Sequence, residues 1–197
     1  MLHYIKGKLI EKSPVHAVVE PASGVAYFLS ISLSTFGKIG ENQTITLYTH
    51  LTINSNDFSV NLFGFADEDE RELFRKLISV SGVGPNTARM VLSGLGTDEV
   101  KQMILMRDVA GFKRIKGIGE KTAERIIIDL HDKISKGTDV VTEKISMPHN
   151  TLRVEALAAL TSLGLDRSKT EKILDKIMVM QPGIALEDLI KQVLKQL

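Results

Sequence analysis

The order of apolar and polar residues divides this chain of 197 residues into segments of different periodicity. Up to about residue 65, short stretches rich in Val, Ile, Thr, Tyr and Phe alternate with turn-forming residues, a pattern typical of β-strands. The predicted strands are Tyr4–Glu11, His16–Glu20, Val25–Ser32, Thr44–Leu51 and Ser59–Phe65. Five short strands predict a small sandwich or barrel. The turn Asn54-Ser55-Asn56-Asp57 has the composition of a hairpin tip.

From about residue 67 to about residue 135 the apolar residues recur with helical spacing. The acidic run Asp67 to Glu70 stands where a first helical turn would begin, and we expect these residues to be solvated charges. Residues 136–150 lack periodicity and are predicted to form a flexible linker. Three short amphipathic helices are predicted after it, at Thr151–Leu163, Ser168–Met180 and Leu186–Leu197.

These segments predict an α+β multidomain fold. The expected domains are an OB-like β-barrel at residues 1–65, an all-α domain at residues 66–135, the linker at residues 136–150 and a three-helix bundle at residues 151–197. The bundle is near the lower size limit for a domain that folds unaided, and nothing catalytic stands out in it. A small helical bundle on a tether is most simply a docking module.

Two segments of the predicted all-α domain are near copies of each other. Gly82-Val83-Gly84 and Gly117-Ile118-Gly119 stand 35 residues apart, and the same offset pairs Thr87-Ala88 with Thr122-Ala123. Apolar residues repeat at this offset as well, which indicates a duplicated supersecondary unit. Each copy predicts a helix, a Gly-apolar-Gly turn and a second helix.

The duplicated unit has a chemical use. Glycines allow a turn that other residues cannot adopt, and they let another backbone come close. The apolar residue between them, Val83 or Ile118, is expected to fill the gap between the two helices. The second helix begins with free N–H groups and the positive end of its dipole, so it can bind a phosphate oxygen.

This pattern resembles the helix-hairpin-helix family of turns, which grip the nucleic-acid backbone. Two copies in tandem imply two phosphate contacts, commonly across a minor groove. Five cationic residues crowd the second copy: Lys113, Arg114, Lys116, Lys121 and Arg125. Asn86 and Arg89 are the polar counterparts in the first copy, so the second is expected to attract DNA more strongly. The alternative is that both turns only join core helices.

Two nucleotide-binding motifs are excluded, because the residues that they require do not stand at the required spacing in this sequence. A dinucleotide fingerprint needs a third glycine and a preceding strand, whereas Thr87 or Thr122 occupies the third position here. A P-loop needs glycine directly before lysine, and Glu120 intervenes between Gly119 and Lys121. We therefore expect no ATP site in this chain.

Composition narrows the function classes further. The hydrophobic share of 43% and the charged share of 25% suit ordinary globular cores. The chain has no cysteine, which excludes disulfides and thiolate metal sites and suits a reducing cytoplasm. Its five histidines lie far apart and show no metal-ligand spacing, so neither a metal nor a cofactor is expected. The N-terminal sequence predicts neither a secretory signal nor a membrane span.

The formal net charge is only +1, whereas an indiscriminate DNA-binding protein is usually strongly basic. Binding would therefore depend on local patches and backbone N–H groups. Such binding is expected to select a shape of DNA that engages several sites together.

The whole chain resembles the RuvA family of bacterial Holliday-junction branch-migration proteins, which have barrel, tandem turns, linker and bundle in this order. The specific stretches are Thr49-His50, Leu62-Phe63-Gly64-Phe65, Gly82-Val83-Gly84-Pro85, Leu92-Ser93-Gly94, Gly117 to Arg125, and Glu155 to Leu160. The resemblance implies a non-enzymatic tetramer, sometimes paired as an octamer, that holds a four-way DNA junction open and square. It also implies recruitment of the hexameric ATPase RuvB by the bundle, and the resolvase RuvC as a further partner.

The resemblance implies roles for particular residues. Backbone N–H groups around Gly82 to Gly84 and Gly117 to Gly119 would contact phosphates, aided by Lys121 and Thr122. An acidic pair on a barrel hairpin normally points into the junction centre, but here only Asp57 is acidic. Asn86 stands where a basic residue is usual. The motor contact is placed at Leu160, Leu163 and Leu165, with core packing as an equally open interpretation.

The enzymatic alternative is a structure-selective nuclease or glycosylase, because helix-hairpin-helix units occur in both. A nuclease would need clustered carboxylates for two metal ions. Asp129 and Asp132 lie on one predicted helix face, although solvated helix charges explain them more simply. No Lys or Asp stands at a glycosylase-like position after the second copy.

Overall fold

The computed structural model describes residues 2–41, 43–54, 57–142 and 148–196, and side chains are described outside residues 136–142 and 148–151. It divides into two compact units, Met1–Lys136 and Gly137–Leu197. The first unit contains the predicted barrel together with the predicted all-α domain. The second unit contains the predicted bundle.

Five strands form a closed barrel in the order β1-β2-β3-β5-β4. They are β1 (Tyr4–Lys12), β2 (His16–Glu20), β3 (Tyr27–Ile31), β4 (Thr44–Ile53) and β5 (Val60–Phe65). Neighbouring strands are antiparallel, except that β3 and β5 pair in parallel. The inward positions alternate along each strand and bury an apolar barrel core that includes Leu9, Val19, Leu29 and Leu47.

A short helix that the sequence analysis did not predict, α1 (Leu33–Lys38), connects β3 to β4. Ser32 caps it, and its side chain accepts a hydrogen bond from the backbone N–H of Thr35. A helix of six residues shows almost no periodicity, so only the capping serine could have indicated it.

Five helices follow the barrel: α2 (Glu68–Ile78), α3 (Pro85–Gly94), α4 (Thr97–Leu105), α5 (Val109–Lys113) and α6 (Glu120–Thr142). The first unit contains α2 to α5 and the part of α6 up to Lys136. Their apolar faces share one core, which also takes in Phe63 and Phe65 from β5. The ring of Phe74 on α2 lies 5.0 Å from that of Phe63 and 4.9 Å from that of Phe65. The barrel therefore supplies part of the helical core.

The acidic run at the start of α2 is only partly solvated. Asp67 caps the helix, and its carboxylate accepts from the backbone N–H of Glu70, as expected for a helix start. Glu70, in contrast, is buried, and it accepts hydrogen bonds from the hydroxyls of Ser32 and Thr35. The expectation that all four residues are solvated was therefore wrong for Glu70, which joins α2 to the barrel.

The second unit contains α7 (Pro148–Ser162), α8 (Arg167–Met180) and α9 (Leu186–Gln196), within a few residues of the predicted helices. Their buried faces form a separate core of Ala156, Leu157, Leu160, Leu174, Ile177, Leu189 and Val193. Arg153 and Asp175 form a two-bond ion pair between α7 and α8, at 2.6 and 2.9 Å.

The predicted linker at residues 136–150 is shorter in the structure, because α6 continues to Thr142 and α7 begins at Pro148. Helix propagation adds a hydrogen bond per residue at little cost once a buried face has fixed the first turns, so α6 continues into a segment without apolar periodicity. Residues 143–147 lie outside the described part of the chain.

Candidate nucleic-acid interface

The two glycine turns have the same backbone hydrogen bonds at the same 35-residue offset. The N–H of Val83 donates to the carbonyl of Val80 at 3.0 Å, and the N–H of Ile118 donates to that of Ile115 at 3.1 Å. The N–H groups of Ala88 and Ala123 donate to the carbonyls of Gly84 and Gly119, at 3.0 and 2.9 Å. The sequence repeat is thus a structural repeat, with α2 and α3 in the first copy and α5 and α6 in the second.

The first glycine of each turn supplies a left-handed backbone, and the residue after it fills the gap between the helices. Gly82 has φ +90° and Gly117 has φ +91°, in the region that side chains disfavour. Val83 and Ile118 are each only 5% exposed and belong to the helical core. The prediction that they fill the gap is confirmed.

The second glycine of each turn is not required by the fold. Gly84 has φ −81°, which any residue can adopt, and Gly119 has no left-handed φ either. Both are exposed, and among the described residues no atom lies within 4 Å of the position that a Cβ would take. Because these glycines have no side chain, a group from another molecule can approach the backbone there.

Both second helices begin without a capping side chain, since a glycine precedes them. Gly84 is the N-cap residue of α3 and Pro85 occupies its first turn, while α6 begins directly after Gly119. The first N–H groups of a helix have no partner within it, so those of α3 and α6 remain available to an acceptor outside the helix. An anion is the acceptor that the helix dipole also favours.

The two turns lie side by side and contact each other reciprocally. A Cβ on Gly82 would lie 4.0 Å from the Thr122 hydroxyl oxygen at the start of α6, and a Cβ on Gly117 would lie 3.3 Å from Met90 Cε on α3. A guanidinium nitrogen of Arg125 on α6 lies 3.5 Å from the Ser81 hydroxyl oxygen. Each turn thus meets the second helix of the other copy, so the two sets of free N–H groups form one continuous surface.

The first copy carries Arg75 and Lys76 in the last turn of α2, before its glycine turn, and the second copy carries more positive charge. All five predicted cations there are exposed: Lys113, Arg114, Lys116, Lys121 and Arg125. Lys113 is partly neutralised, since its Nζ lies 3.4 Å from the Glu120 carboxylate. Asn86, at the position equivalent to Lys121, is exposed and neutral.

Arg89, which was predicted to bind DNA, faces the barrel instead. Its guanidinium donates to the backbone carbonyls of Val15 at 3.0 Å and Ile31 at 3.3 Å. Its Nε is buried and has no hydrogen-bond partner among the described residues. Arg89 therefore anchors α3 to the barrel, a role that the sequence could not reveal because Val15 and Ile31 are distant along the chain.

The β4–β5 hairpin carries the predicted pin. Asp57 is exposed, and its carboxylate accepts from the backbone N–H of Ser59 at 3.0 Å and from the Ser59 hydroxyl at 2.8 Å. These two hydrogen bonds lower the pKa of Asp57, so the group keeps its negative charge. Ser55 and Asn56, which complete the predicted tip, lie outside the described residues.

The three leucines predicted to meet a motor differ in accessibility. Leu160 is completely buried in the bundle core, so it cannot contact a partner directly. Leu165 is partly buried against that core, whereas Leu163 is 63% exposed. Val179 and Met180, at the end of α8, are also exposed and were not singled out from the sequence.

Neither a metal cluster nor a membrane-spanning helix occurs in the described parts of the chain. No group of three or more His, Asp or Glu side chains is placed to hold a metal ion there. Likewise, none of the helices described above combines the length and apolar character that crossing a bilayer requires.

Comparison with known families assigns all three parts of the chain. The family described as "RuvA N terminal domain" matches residues 1–64, "SAM-like Helix-hairpin-helix tandem" matches residues 74–132, and "RuvA, C-terminal domain" matches residues 151–197. The first and third matches coincide with the barrel and the bundle. The second covers both glycine turns.

Three relatives that match this chain over nearly their whole length share one name. Proteins called "Holliday junction branch migration complex subunit RuvA" are 46% identical in Christiangramia forsetii and 44% identical in Flavobacterium psychrophilum, in both cases over all of this chain and all of the relative. The protein of that name in Cytophaga hutchinsonii is 42% identical over 99% of each chain.

Proposed function

Since the chain belongs to the RuvA family, we propose that it binds four-way DNA junctions, holds their arms open and square, and recruits a motor without catalysing a reaction itself. The observation that carries this proposal is the pair of exposed, uncapped helix starts behind Gly84 and Gly119. They form a surface of backbone donors whose geometry is fixed by two left-handed glycines.

Each turn would bind one backbone phosphate, and the pair would hold phosphates on the two strands across a minor groove. The contacting groups are the N–H groups around Gly82 and Gly84 and around Gly117 and Gly119. The N–H groups of Val83 and Ile118, which were also predicted to contact DNA, donate within the chain to the carbonyls of Val80 and Ile115 instead. Asn86, Lys121 and Thr122 would add side-chain contacts. Phosphate contacts fix the position of the protein on the duplex but do not read the base sequence. This suits a protein that must act on any junction.

Selectivity for junctions would come from several weak sites acting together. A net charge of +1 gives little attraction for plain duplex DNA. Four copies in a homotetramer would place one pair of turns on each arm of a junction, and the linked contacts would raise the effective affinity. Two such tetramers could enclose a junction as an octamer.

The pin and the bundle would have separate tasks. Four copies of Asp57 would place negative charge near the junction centre and repel phosphates there. The bundle would dock the RuvB ATPase through Leu163, with Leu165 supporting that surface. We place this activity in the cytoplasm, on junctions that the RuvC resolvase can also use.

The test of DNA binding is gel retention of labelled four-way junctions and of matched duplex, with and without Mg²⁺. The expected result is retention of the junction in preference to the duplex, with all strands intact. Cleaved strands would support a nuclease instead, and base removal would support a glycosylase. A lack of retention at every salt concentration would mean that the glycine turns only pack helices.

Motor docking is tested in the full chain with Leu163→Asp. We expect junction retention to be unchanged and stimulation of the RuvB ATPase to fall strongly, because a charge interrupts an apolar contact. The matched control is Leu194→Asp, which makes the same change at an exposed leucine on α9. Equal stimulation by wild type and Leu163→Asp would rule out Leu163 as a contact.

A further inference from the structure

The β4–β5 hairpin extends past the barrel as a two-stranded arm. β4 pairs with β1 from Thr44 to Tyr48, but its pairing with β5 continues to Ile53 opposite Val60. β5 pairs with β3 at Phe63 and Gly64. We define the arm as residues 51–54 and 57–62, the described part of the hairpin beyond these barrel contacts.

One face of the arm is apolar, and its exposure increases towards the tip, since Leu62 at the base packs against the barrel core. The register places Leu51 opposite Leu62 and Ile53 opposite Val60, so these four side chains lie on the same face. Ile53 and Val60 are each 62% exposed. Phe58, close to the tip, is 78% exposed, which is unusual for a large aromatic residue.

The backbone at Phe58 adds to this anomaly. Its φ is +56°, a left-handed conformation that a bulky side chain rarely adopts. The N–H of Phe58 donates to the carbonyl of Asn54 at 2.9 Å, which links the two sides of the arm. Folding gains little from an exposed ring on a disfavoured backbone, and such strain is typical of binding sites.

Charge decides which kind of surface can meet Phe58. The adjacent Asp57 carboxylate is exposed and ionised, and it is held towards Ser59 by two hydrogen bonds. A phosphate would be repelled there, and a second copy of the same tip would bring carboxylate against carboxylate. The flat face of a nucleobase carries no charge, and it stacks on an aromatic ring whichever base it is.

The arm points to the same end of the first unit as the glycine turns. The Arg71 guanidinium on α2 lies 5.5 Å from the Tyr48 ring, and the Phe74 ring lies 5.5 Å from His50, so β4 and α2 advance in the same direction. From His50 to Asn54 the strand rises about 13 Å. From Phe74 to Ile78, where α2 ends shortly before the first turn, a helical rise gives about 6 Å. The arm and α2 therefore both extend from this shared level towards the same end of the first unit.

We propose that Phe58 stacks on a nucleobase at the branch point of the junction, while Asp57 keeps phosphates away from the tip. The proposal rests on the proposed function, because bases within a continuous duplex arm are stacked on both faces, whereas an open branch point exposes a base face. Phe58 is thus a base-contacting residue in addition to the phosphate-contacting turns. Its contact distinguishes the branch point from a continuous duplex arm.

The experiment places the fluorescent base 2-aminopurine at the branch point of a four-way junction, with a second junction labelled within one arm as reference. Wild type is expected to change the branch-point fluorescence and not the arm fluorescence. Phe58→Ala is expected to lose most of that change and to bind the junction at least about fivefold more weakly, the lower end for one base–aromatic stack. Phe58→Tyr should restore both.

Two further variants separate stacking from other roles of the arm. Val60→Ala removes exposed apolar surface from the same arm without removing a ring, so it should keep the branch-point signal. Phe58→Asn places a residue that tolerates a left-handed backbone, so it should lose the signal while its melting temperature equals or exceeds that of wild type.

The outcomes distinguish this proposal from the proposed function. If Phe58→Ala retains junctions with wild-type affinity and fluorescence, stacking is overturned and junction binding stands. If Phe58→Ala changes the solution mass and leaves the branch-point signal intact, the ring is a contact between copies and stacking is again overturned. If wild type fails to retain junctions at all, both proposals are lost.

Discussion

The two helix-hairpin-helix copies share a backbone and differ in what surrounds it. The first copy is built into the barrel through Phe74, Glu70 and Arg89, and its exposed residue after the turn is the neutral Asn86. Among the described contacts, the second copy has none to the barrel that correspond to these three. It carries five exposed cations. The first therefore sets the position of the surface, and the second supplies more of its charge.

This division between the two copies explains how a nearly neutral protein could bind a polyanion. The amide donors of both copies are fixed by glycine geometry, which costs no net charge. Under the proposed function, the cations of the second copy would serve both turns, since the two turns lie side by side. The other copy is free to use its arginine for packing.

The largest effect is expected from filling the open glycine positions with a carboxylate. Gly84→Asp and Gly119→Asp each add a preferred N-cap residue, so helix stability should be unchanged or slightly higher. The same carboxylate occupies the free N–H groups and repels phosphate. We expect each variant to weaken junction binding about tenfold or more, since hydrogen bonds to charged groups are worth about 1.5–3 kcal/mol.

Gly96→Asp is the matched control for both variants. Gly96 is also an N-cap glycine without a capping side chain, it caps α4, and no described atom lies within 4 Å of its Cβ position. It should keep junction binding within a few-fold of wild type in the same gel titration. If all three variants bind equally well, the amide surface does not contact DNA.

The sequence was sufficient to locate the repeat, because glycine and apolar spacing depend on local backbone geometry. It also predicted the five strands and the three bundle helices, whose alternation and helical spacing are local patterns. It could not assign Arg89 or Glu70, because the partners of both residues lie far away along the chain. An arginine beside a DNA-binding turn resembles a phosphate ligand until its contacts are known.

The next effect separates anchoring from binding within the first copy. Arg89→Ala removes two hydrogen bonds to barrel carbonyls and is expected to destabilise the first unit by about 2 kcal/mol. The slope of log affinity against log salt should stay at the wild-type value, since no phosphate contact is lost. Thermal melting and a salt titration of junction binding measure the two quantities.

Glu124→Ala is the control for Arg89→Ala, because Glu124 occupies the equivalent position in the second copy and is exposed. Its melting temperature should equal that of wild type, as is usual for surface substitutions. If Arg89→Ala reduces the slope of log affinity against log salt without a loss of stability, Arg89 contacts DNA and does not anchor α3.

A smaller effect compares Lys121 with Asn86, its counterpart 35 residues earlier. Lys121→Ala is expected to weaken junction binding several-fold and to reduce the salt slope by about 0.9 per lost phosphate contact. Asn86→Ala should leave the slope unchanged. Asn86→Lys should steepen it and reduce the preference for junctions over duplex, because it gives both copies a cation after the glycine turn. Equal slopes in Lys121→Ala and wild type would contradict the assignment of charge to the second copy.

The smallest effect concerns Glu70, the buried carboxyl that ties the first copy to the barrel. Burial raises the pKa of Glu70, although the hydroxyls of Ser32 and Thr35 donate to it. The folded state therefore holds this proton more tightly than the unfolded state. The resulting stabilisation is fully present below the unfolded pKa, near 4.5, and it is lost as the pH rises through the folded value.

Glu70→Gln keeps the shape of the side chain and cannot ionise. We expect its stability relative to wild type to increase as the pH rises from 4 to 8, because only the wild-type carboxyl has to give up a proton that the folded state holds more tightly. Glu124→Gln makes the same change at an exposed carboxyl and is the control in the same pH series of denaturant melts. If the free energies of unfolding of Glu70→Gln and wild type differ by the same amount across that range, the pKa of Glu70 is the same in the folded and unfolded states. In that case the tie between the first copy and the barrel would be independent of pH, as the apolar contacts of Phe74 are.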